Sequence, residues 1–309
     1  MSICLLGCAF SVLTPSAGIF PQSVEVLIGD ITDPSAVQSA MQGVDAVVHM
    51  AALLHIVNPP PELREKYERV NVGGTAMVVE AAIKAGVRRV VLFSTIAVYG
   101  ASDGRVLNEA SPTHPDTFYA QTKLAAEKIV LNAKRTDGQL IGTVLRLGAV
   151  YGSRIKGNYE RLTHALALHR FIPIGSGLNR RTLVYDKDVG RAAVLALEHP
   201  GAAGQIFNVS DGEFHTLNDI ILAICQALGR KPPSLSLPVG PVRLAAGVVE
   251  DIVRLVGRKP NLRARIDKYT EDVAVDSHRF QNELGFVPQY NLSAGWRETV
   301  QEMRRSGEL

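Results

Sequence analysis

A doubly wound α/β fold is predicted for this 309-residue chain. Three observations predict it: short β-branched runs alternate with helix-length amphipathic segments, several of the runs lack polar interruption, and turn or capping residues stand at the junctions. Val24-Glu25-Val26-Leu27-Ile28 is the first clear strand, followed by Gly29-Asp30-Ile31-Thr32-Asp33 and a helix over 34–41 capped by Thr32 or Asp33. Residues 44–50 read as a buried strand closing on Ala51-Ala52. Residues 61–85 carry helical periodicity and stop at Gly86, and 87–93 is a near-continuous apolar strand, as a sheet covered on both faces requires. The helix over about 118–133 carries Tyr119 and Lys123, and 141–147 is the next strand. After Tyr151-Gly152 the texture changes to short strands and helices separated by Gly and Pro, with a helix at 186–198, a strand at 205–209, a helix at 217–228 and a break at Pro232-Pro233. Residues 153–309 thus read as a smaller α/β region, partly interleaved with the main sheet, that closes over the carboxyl ends of its strands.

Composition narrows the class. With 46% hydrophobic and 20% charged residues the chain can bury a large core. A net charge of +3 without a clustered basic run gives no reason to expect nucleic acid. Cys4, Cys8 and Cys225 have no metal-ligand spacing, so no metal is expected and a reducing, cytoplasmic setting is. The apolar run from Ile3 to Leu13 has no Lys or Arg ahead of it, which argues against an export signal. Residues 238–257 are apolar too, but Arg243, Glu250, Asp251 and Arg254 interrupt them. They suit an amphipathic packing helix rather than a span, and no membrane partner is expected.

Tyr119 and Lys123 stand four apart on one helix and so share a face. At about 5 Å and an effective dielectric near 20 an ammonium stabilises a phenolate by roughly 3 kcal/mol. That lowers a phenol from about 10 by about two pH units, so a second positive charge is needed for a base at neutral pH. The spacing alone is common, and an ordinary surface pair stays open on that ground.

An ordered series of motifs resolves the choice: Gly29-Asp30-Ile31-Thr32-Asp33, Val48-His49-Met50-Ala51-Ala52, Asn71-Val72-Gly73-Gly74-Thr75, Ser94-Thr95 with Val98-Tyr99-Gly100, Tyr119-x-x-x-Lys123, and Arg146-Leu147-Gly148-Ala149-Val150-Tyr151-Gly152. From Val24 onward the chain resembles the extended short-chain dehydrogenase/reductases, the NAD-dependent epimerase/dehydratase family of Rossmann-like enzymes. The resemblance implies a dinucleotide-binding domain over residues 1–152 and a mainly substrate-binding region over 153–309. It implies NAD as cofactor, with NADP left open, and a homodimer through the helices at 61–85 and 118–133. It places Thr95, Tyr119 and Lys123 in the catalytic centre. Asp30, Ile31, Ala51, Ala52, Ser94, Tyr119, Lys123 and Gly148 fall on the cofactor. Thr95, Asn158 and Arg181 fall on the substrate. Asp30 as a mere helix cap, His49 as a satisfied core histidine and Asn71 as a structural amide are the competing readings of those residues.

Segments of the second half are similar to bacterial sugar-nucleotide 4-epimerases: Gly157 to Leu162, Asn179 to Tyr185, Phe207 to Gly212, and Leu284-Gly285-Phe286-x-Pro288. Arg181 falls where such enzymes hold a diphosphate, a task for a planar bidentate donor. A nucleotide-sugar epimerase or dehydratase acting on a UDP-sugar is therefore the first expectation. A non-catalytic relative that binds a nucleotide sugar or a partner is the second. A dehydrogenase or reductase of a hydroxysteroid, flavonol or aldehyde is the third.

The family pattern fails before Val24. A dinucleotide βαβ unit needs about 30 residues and a G-x-x-G-x-x-G turn that feeds a helix N-terminus. Residues 1–23 are too few, Gly7 and Gly18 miss the spacing, and Pro15 and Pro21 spoil a full helix. Met1 to Gly7 can imitate a first strand, but the phosphate cradle reads as deleted, replaced or lost through the recorded start. Weaker cofactor binding and an uncovered apolar face are expected.

Overall fold

The computed structural model describes residues 3–7, 10–16, 18, 20–54, 62–155, 157–255 and 260–309; Cys8 lies outside the described residues. The chain opens with β1 (Ile3–Gly7), β2 (Phe10–Thr14) and β3 (Val24–Ile28), then α1 (Pro34–Ala40) and β4 (Val44–His49). Asp33 caps α1 by accepting from Ser35 N, and Pro34 takes the first helical position, where its missing N–H costs nothing. α2 (Glu62–Tyr67), a π-helical turn at Glu68–Gly73 and α3 (Gly74–Lys84) follow one another directly. Asn71 sits in that π turn, a widening of the helix that recurs at functional sites. Its side chain accepts from Leu53 N at 2.6 Å and donates to Thr122 Oγ1 at 3.0 Å, tying the end of β4 to a later helix. The structural reading of Asn71 fits this geometry.

β5 (Arg89–Thr95), β6 (Val106–Leu107), α4 (Phe118–Leu131), β7 (Gly142–Leu147) and β8 (Ala149–Tyr151) complete the first half. α5 (Asn158–Ala167), β9 (Arg180–Arg181), β10 (Leu183–Tyr185), α6 (Asp186–Glu198), β11 (Ile206–Val209) and β12 (His215–Thr216) follow. The chain closes with α7 (Leu217–Leu228), α8 (Val239–Leu255), α9 (Leu262–Thr270), β13 (Ala274–Val275), α10 (His278–Leu284) and α11 (Leu292–Arg305).

Seven strands form one sheet in the order β11-β7-β5-β4-β1-β2-β3. One apolar layer joins the sheet to α1, α3 and α4 through Val37, Ala40, Val78, Ala82, Val90, Ala126 and Val130. The opposite layer joins it to α6 and α10 through Val91, Leu145, Ala192, Ala196, Phe207 and Phe280. Helices on both faces explain why β5 and β7 are apolar on both sides. β11 enters the main sheet from the second half of the chain, parallel to β7. α5, α7 and α11 build a separate core around Ile220, Ile224, Trp296 and Val300. No helix among the described residues is long and apolar enough to cross a membrane.

The unusual element is β1. It runs antiparallel to both neighbours, with Ile3 opposite His49 of β4 and opposite Leu13 of β2. β2 in turn lies parallel to β3. The imitation first strand thus occupies an interior position beside β4 in reverse, joined to β2 across residues 8–9 alone. A link that short permits only an antiparallel hairpin and excludes a crossover helix. The expected loss of cover shows on β3, where Val26 and Ile28 share an exposed face.

Candidate active site

α4 begins at Thr117, whose hydroxyl accepts from Ala120 N at 3.2 Å. Its inward face carries Lys123, Ala126, Glu127 and Val130, all buried, with Tyr119 half-buried one turn before Lys123. Glu127 stands one turn beyond Lys123 and was not singled out by the motifs. It anchors a buried cluster that joins three elements. Ser94 Oγ donates to Glu127 Oε1 at 2.5 Å, and Arg146 grips the same carboxylate through Nε at 3.0 Å and Nη2 at 2.7 Å. The Arg146 guanidinium lies 4.7 Å over the Tyr99 ring, and Tyr99 Oη donates to Asn208 Oδ1. The signal available in the sequence was a charge of each sign inside otherwise apolar segments, since buried charges need partners. The Ser94 side chain is thus turned toward Glu127.

Electrostatics at the Tyr119–Lys123 pair differ from the simple two-charge picture. Burial pushes the Tyr119 phenol up to about 12, with Tyr67 adding to the rise. Lys123 is pushed down to about 8 by burial, against the pull of Glu127. Desolvation therefore outweighs the attraction expected between the two side chains. The Lys123 side chain is buried, 2% exposed, with the Glu127 carboxylate one turn on.

His49 lies in the core, as its place in an apolar strand suggested. Thr75 Oγ1 donates to Asn71 O at 2.6 Å and so accepts from His49 Nε2 at 2.9 Å, which fixes the neutral tautomer with its proton on Nε2. Burial, helped by Lys123, holds this imidazole down to about 3 against an ordinary 6.5. Below pH 6.5 the unfolded chain binds a proton that the folded chain refuses, so stability is complete above that value and falls as the pH drops toward 3. The slope from His49 is up to about 1.4 kcal/mol per pH unit. Urea unfolding at a series of pH values is expected to show it, and His49→Gln is expected to flatten it.

The remaining residues fall in two groups. Thr95 ends β5, and its Oγ1 accepts from Ala97 N at 3.1 Å, so its own proton is free to turn toward a ligand. Ala51 and Ala52 are buried at the end of β4. Asp30 follows β3, exposed, with Oδ1 accepting from Thr32 N and Thr32 Oγ1; Asp33, not Asp30, caps the helix. The Ile31 side chain is in the core, which leaves its backbone at the strand end. Gly148 has a packing reason of its own, since a Cβ there would lie 3.0 Å from Thr182 O. Asn158 is exposed at the start of α5 and accepts from Arg161 Nη2. Arg181 is engaged: it donates to Lys268 O, Tyr269 O and Glu271 O at the carboxyl end of α9. A cation on terminal carbonyls is a natural helix stop.

These residues fit the two ends of a dinucleotide better than its middle. A buried ammonium and a threonine hydroxyl suit the ribose and nicotinamide end, and the turn at Asp30-Ile31 suits an adenine. Nothing among the described residues replaces the helix N-terminus that takes a pyrophosphate, because β1 points its carboxyl end away from the edge where β4 and β5 finish.

Comparison with known proteins adds the relatives. A model of the NAD dependent epimerase/dehydratase family matches residues 11–210, so the match reaches back into β2 and beyond the Val24 boundary set by the motifs. The chain is 30% identical over 279 residues to the N-acetyl-alpha-D-glucosaminyl-diphospho-ditrans,octacis-undecaprenol 4-epimerase of Escherichia coli O157:H7, covering 89% of this chain and 82% of that enzyme. It is 28% identical over 280 residues to the UDP-glucose 4-epimerase of Vibrio cholerae, covering 89% and 81%. Among solved structures, MoeE5 in complex with UDP-glucose and NAD superposes with a TM-score of 0.73 at 25% identity, covering 95% of this chain and 90% of that one. With the fold, the motif series and these matches in agreement, the chain belongs to the NAD dependent epimerase/dehydratase family.

Proposed function

We propose that the protein is an NAD-dependent epimerase or dehydratase acting on a sugar carried by a diphosphate, a UDP-sugar in the first instance. The observation that carries this reading is the Tyr119–Lys123 pair on α4, Lys123 buried and α4 packed against β5, the strand that Thr95 ends. Oxidised nicotinamide, when bound, would supply the hydride acceptor for the sugar carbon and the second positive charge that Tyr119 needs. Thr95 holds the substrate hydroxyl through Oγ1, and Tyr119 Oη takes its proton. Lys123 Nζ holds the nicotinamide ribose. Arg181 serves the diphosphate after exchanging one or more of its α9 carbonyls, and Asn158 is the second polar contact. The two curated relatives support the substrate class, since one is named for a diphospho-undecaprenol sugar and the other for UDP-glucose.

The test is direct. Purified protein is expected to bind NAD and to interconvert UDP-glucose and UDP-galactose, or to form a keto product, followed by NMR. Absence of any bound or bindable nicotinamide nucleotide overturns the reading. Arg181→Ala is expected to raise KM about ten- to a hundredfold for a diphosphate substrate, the worth of a charged hydrogen bond; an unchanged KM points to a hydroxysteroid-like or other alcohol. The reversed β1 favours a second reading, a non-catalytic relative. In that case thermal shift shows stabilisation by a UDP-sugar and none by NAD.

A further inference from the structure

Asn208 is a polar residue in an apolar strand. Its neighbours Phe207 and Val209 pack into the layer of α6 and α10, so Asn208 points to the α4 side of the sheet, where it is 1% exposed. It stands level with Arg146 of β7, and Arg146 stands level with Ser94 of β5. Three adjacent strands thus carry one buried polar row, Ser94-Arg146-Asn208, across an otherwise apolar layer. Apolar side chains would fill that row with no desolvation cost to offset. Its polarity points to a task beyond packing.

The hydrogen bonds give the row a direction. Asn208 Nδ2 donates to Asp276 O at 2.9 Å, which turns Oδ1 to accept from Tyr99 Oη at 2.8 Å. With its proton committed to Asn208, the Tyr99 oxygen keeps only lone pairs for the Arg146 guanidinium, which meets that hydroxyl and lies 4.7 Å from the centre of the Tyr99 ring. Arg146 in turn grips Glu127, one turn beyond Lys123. The far anchor belongs to the second half of the chain: Asp276 N donates to Leu107 O beside the β13–β6 pairing, and the same stretch supplies Glu271 O to Arg181. Lys123 is faced by His49 of β4, while Tyr119 and Glu127 stand one turn to either side of it on α4. Tyr67 of α2 acts on Tyr119, and Glu109, which accepts from Asn208 N, acts on Tyr99.

We propose that Asn208 and Tyr99 are positioning residues for Lys123: together they hold Arg146, and through it Glu127, in the place that keeps the Lys123 side chain dry for its task at the nicotinamide ribose. That task rests on the proposed epimerase or dehydratase chemistry; the positioning does not. The test is an NMR titration of the whole protein carrying isotope-labelled lysine, with no cofactor added, the Lys123 signal being the one lost in Lys123→Met. In the wild type its midpoint is expected at about 8. Burial is the larger cause of that low value, so loosening the row is expected to raise the midpoint by about one pH unit or more, in Asn208→Leu and in Tyr99→Phe alike. The double variant is expected to go no further than the larger single shift, since both act through one contact. A role in stability alone lowers the urea midpoint and leaves the Lys123 titration where it was. An unmoved or lowered Lys123 midpoint in Tyr99→Phe, the variant that keeps the ring beneath Arg146, overturns the proposal even if Asn208→Leu fails to fold. A double variant whose shift is the sum of the single shifts overturns it too. In turnover of a nucleotide sugar the same variants are expected to lose about ten- to a hundredfold in kcat, with KM held within about threefold. Wild-type protein that binds no NAD removes the epimerase or dehydratase reading and leaves the titration to decide the positioning.

Discussion

Glu127→Ala is expected to cost about 3–5 kcal/mol of folding stability, the usual penalty for stranding a buried charge. The carboxylate is shared by Ser94 Oγ and the Arg146 guanidinium, both buried, and it supports the Lys123 ammonium. Its removal leaves a guanidinium and an ammonium in the interior without this anion. Denaturant midpoints in urea check the size of the loss. Replacing the pair together, as Glu127→Leu with Arg146→Met, is expected to restore most of it, because the desolvation cost of both ions vanishes. A loss below about 1 kcal/mol for Glu127→Ala would mean that water reaches the cluster.

Tyr119→Phe is the largest expected change in activity, a fall of about 10²–10⁴ in turnover with substrate affinity retained. In the protein alone the phenol is pushed up to about 12, so it is protonated at neutral pH. For the wild type, kcat/KM is expected to rise with pH through the neutral range, since this ratio reports the free enzyme. The rise should bend where Lys123 gives up its proton, at about 8. The phenylalanine variant is expected to lack the rising limb. An identical pH profile in both proteins would remove Tyr119 from the role of base.

Much of the main sheet was legible because its strands obey one rule. β4, β5 and β7 are largely buried, so a mostly apolar run, broken by Asp45 in β4 and Arg146 in β7, marks each of them. Asp33 and Thr117 cap helices by the chemistry their side chains advertise. The direction of β1 was hidden for a different reason: an apolar strand keeps the same pattern when it is turned end for end. Only the short link to Phe10–Thr14 carried the information, and that strand went unread. Glu127 escaped because a charge on a helix looks solvated until its partner from β7 is known. α8, whose Leu244, Val248 and Ile252 are exposed, shows the same ambiguity, since periodicity reveals that a helix has an apolar side but says nothing of which side meets the protein. Arg181 was recognised by position, whereas its present occupation by α9 carbonyls depends on how distant segments meet.

The reversal of β1 also sets a practical rule for handling the molecule. Because Ile3 lies opposite His49, chain joined ahead of Ile3 enters the sheet from the edge where β4 and β5 end. An affinity tag fused in front would issue beside Ala51, Ala52 and Thr95 and compete there with the nucleotide of the proposed function. One fused after α11 would emerge next to α7, on the separate core around Trp296. Two preparations of the same sequence, tagged at opposite ends, would then give different answers to the question of whether it binds NAD.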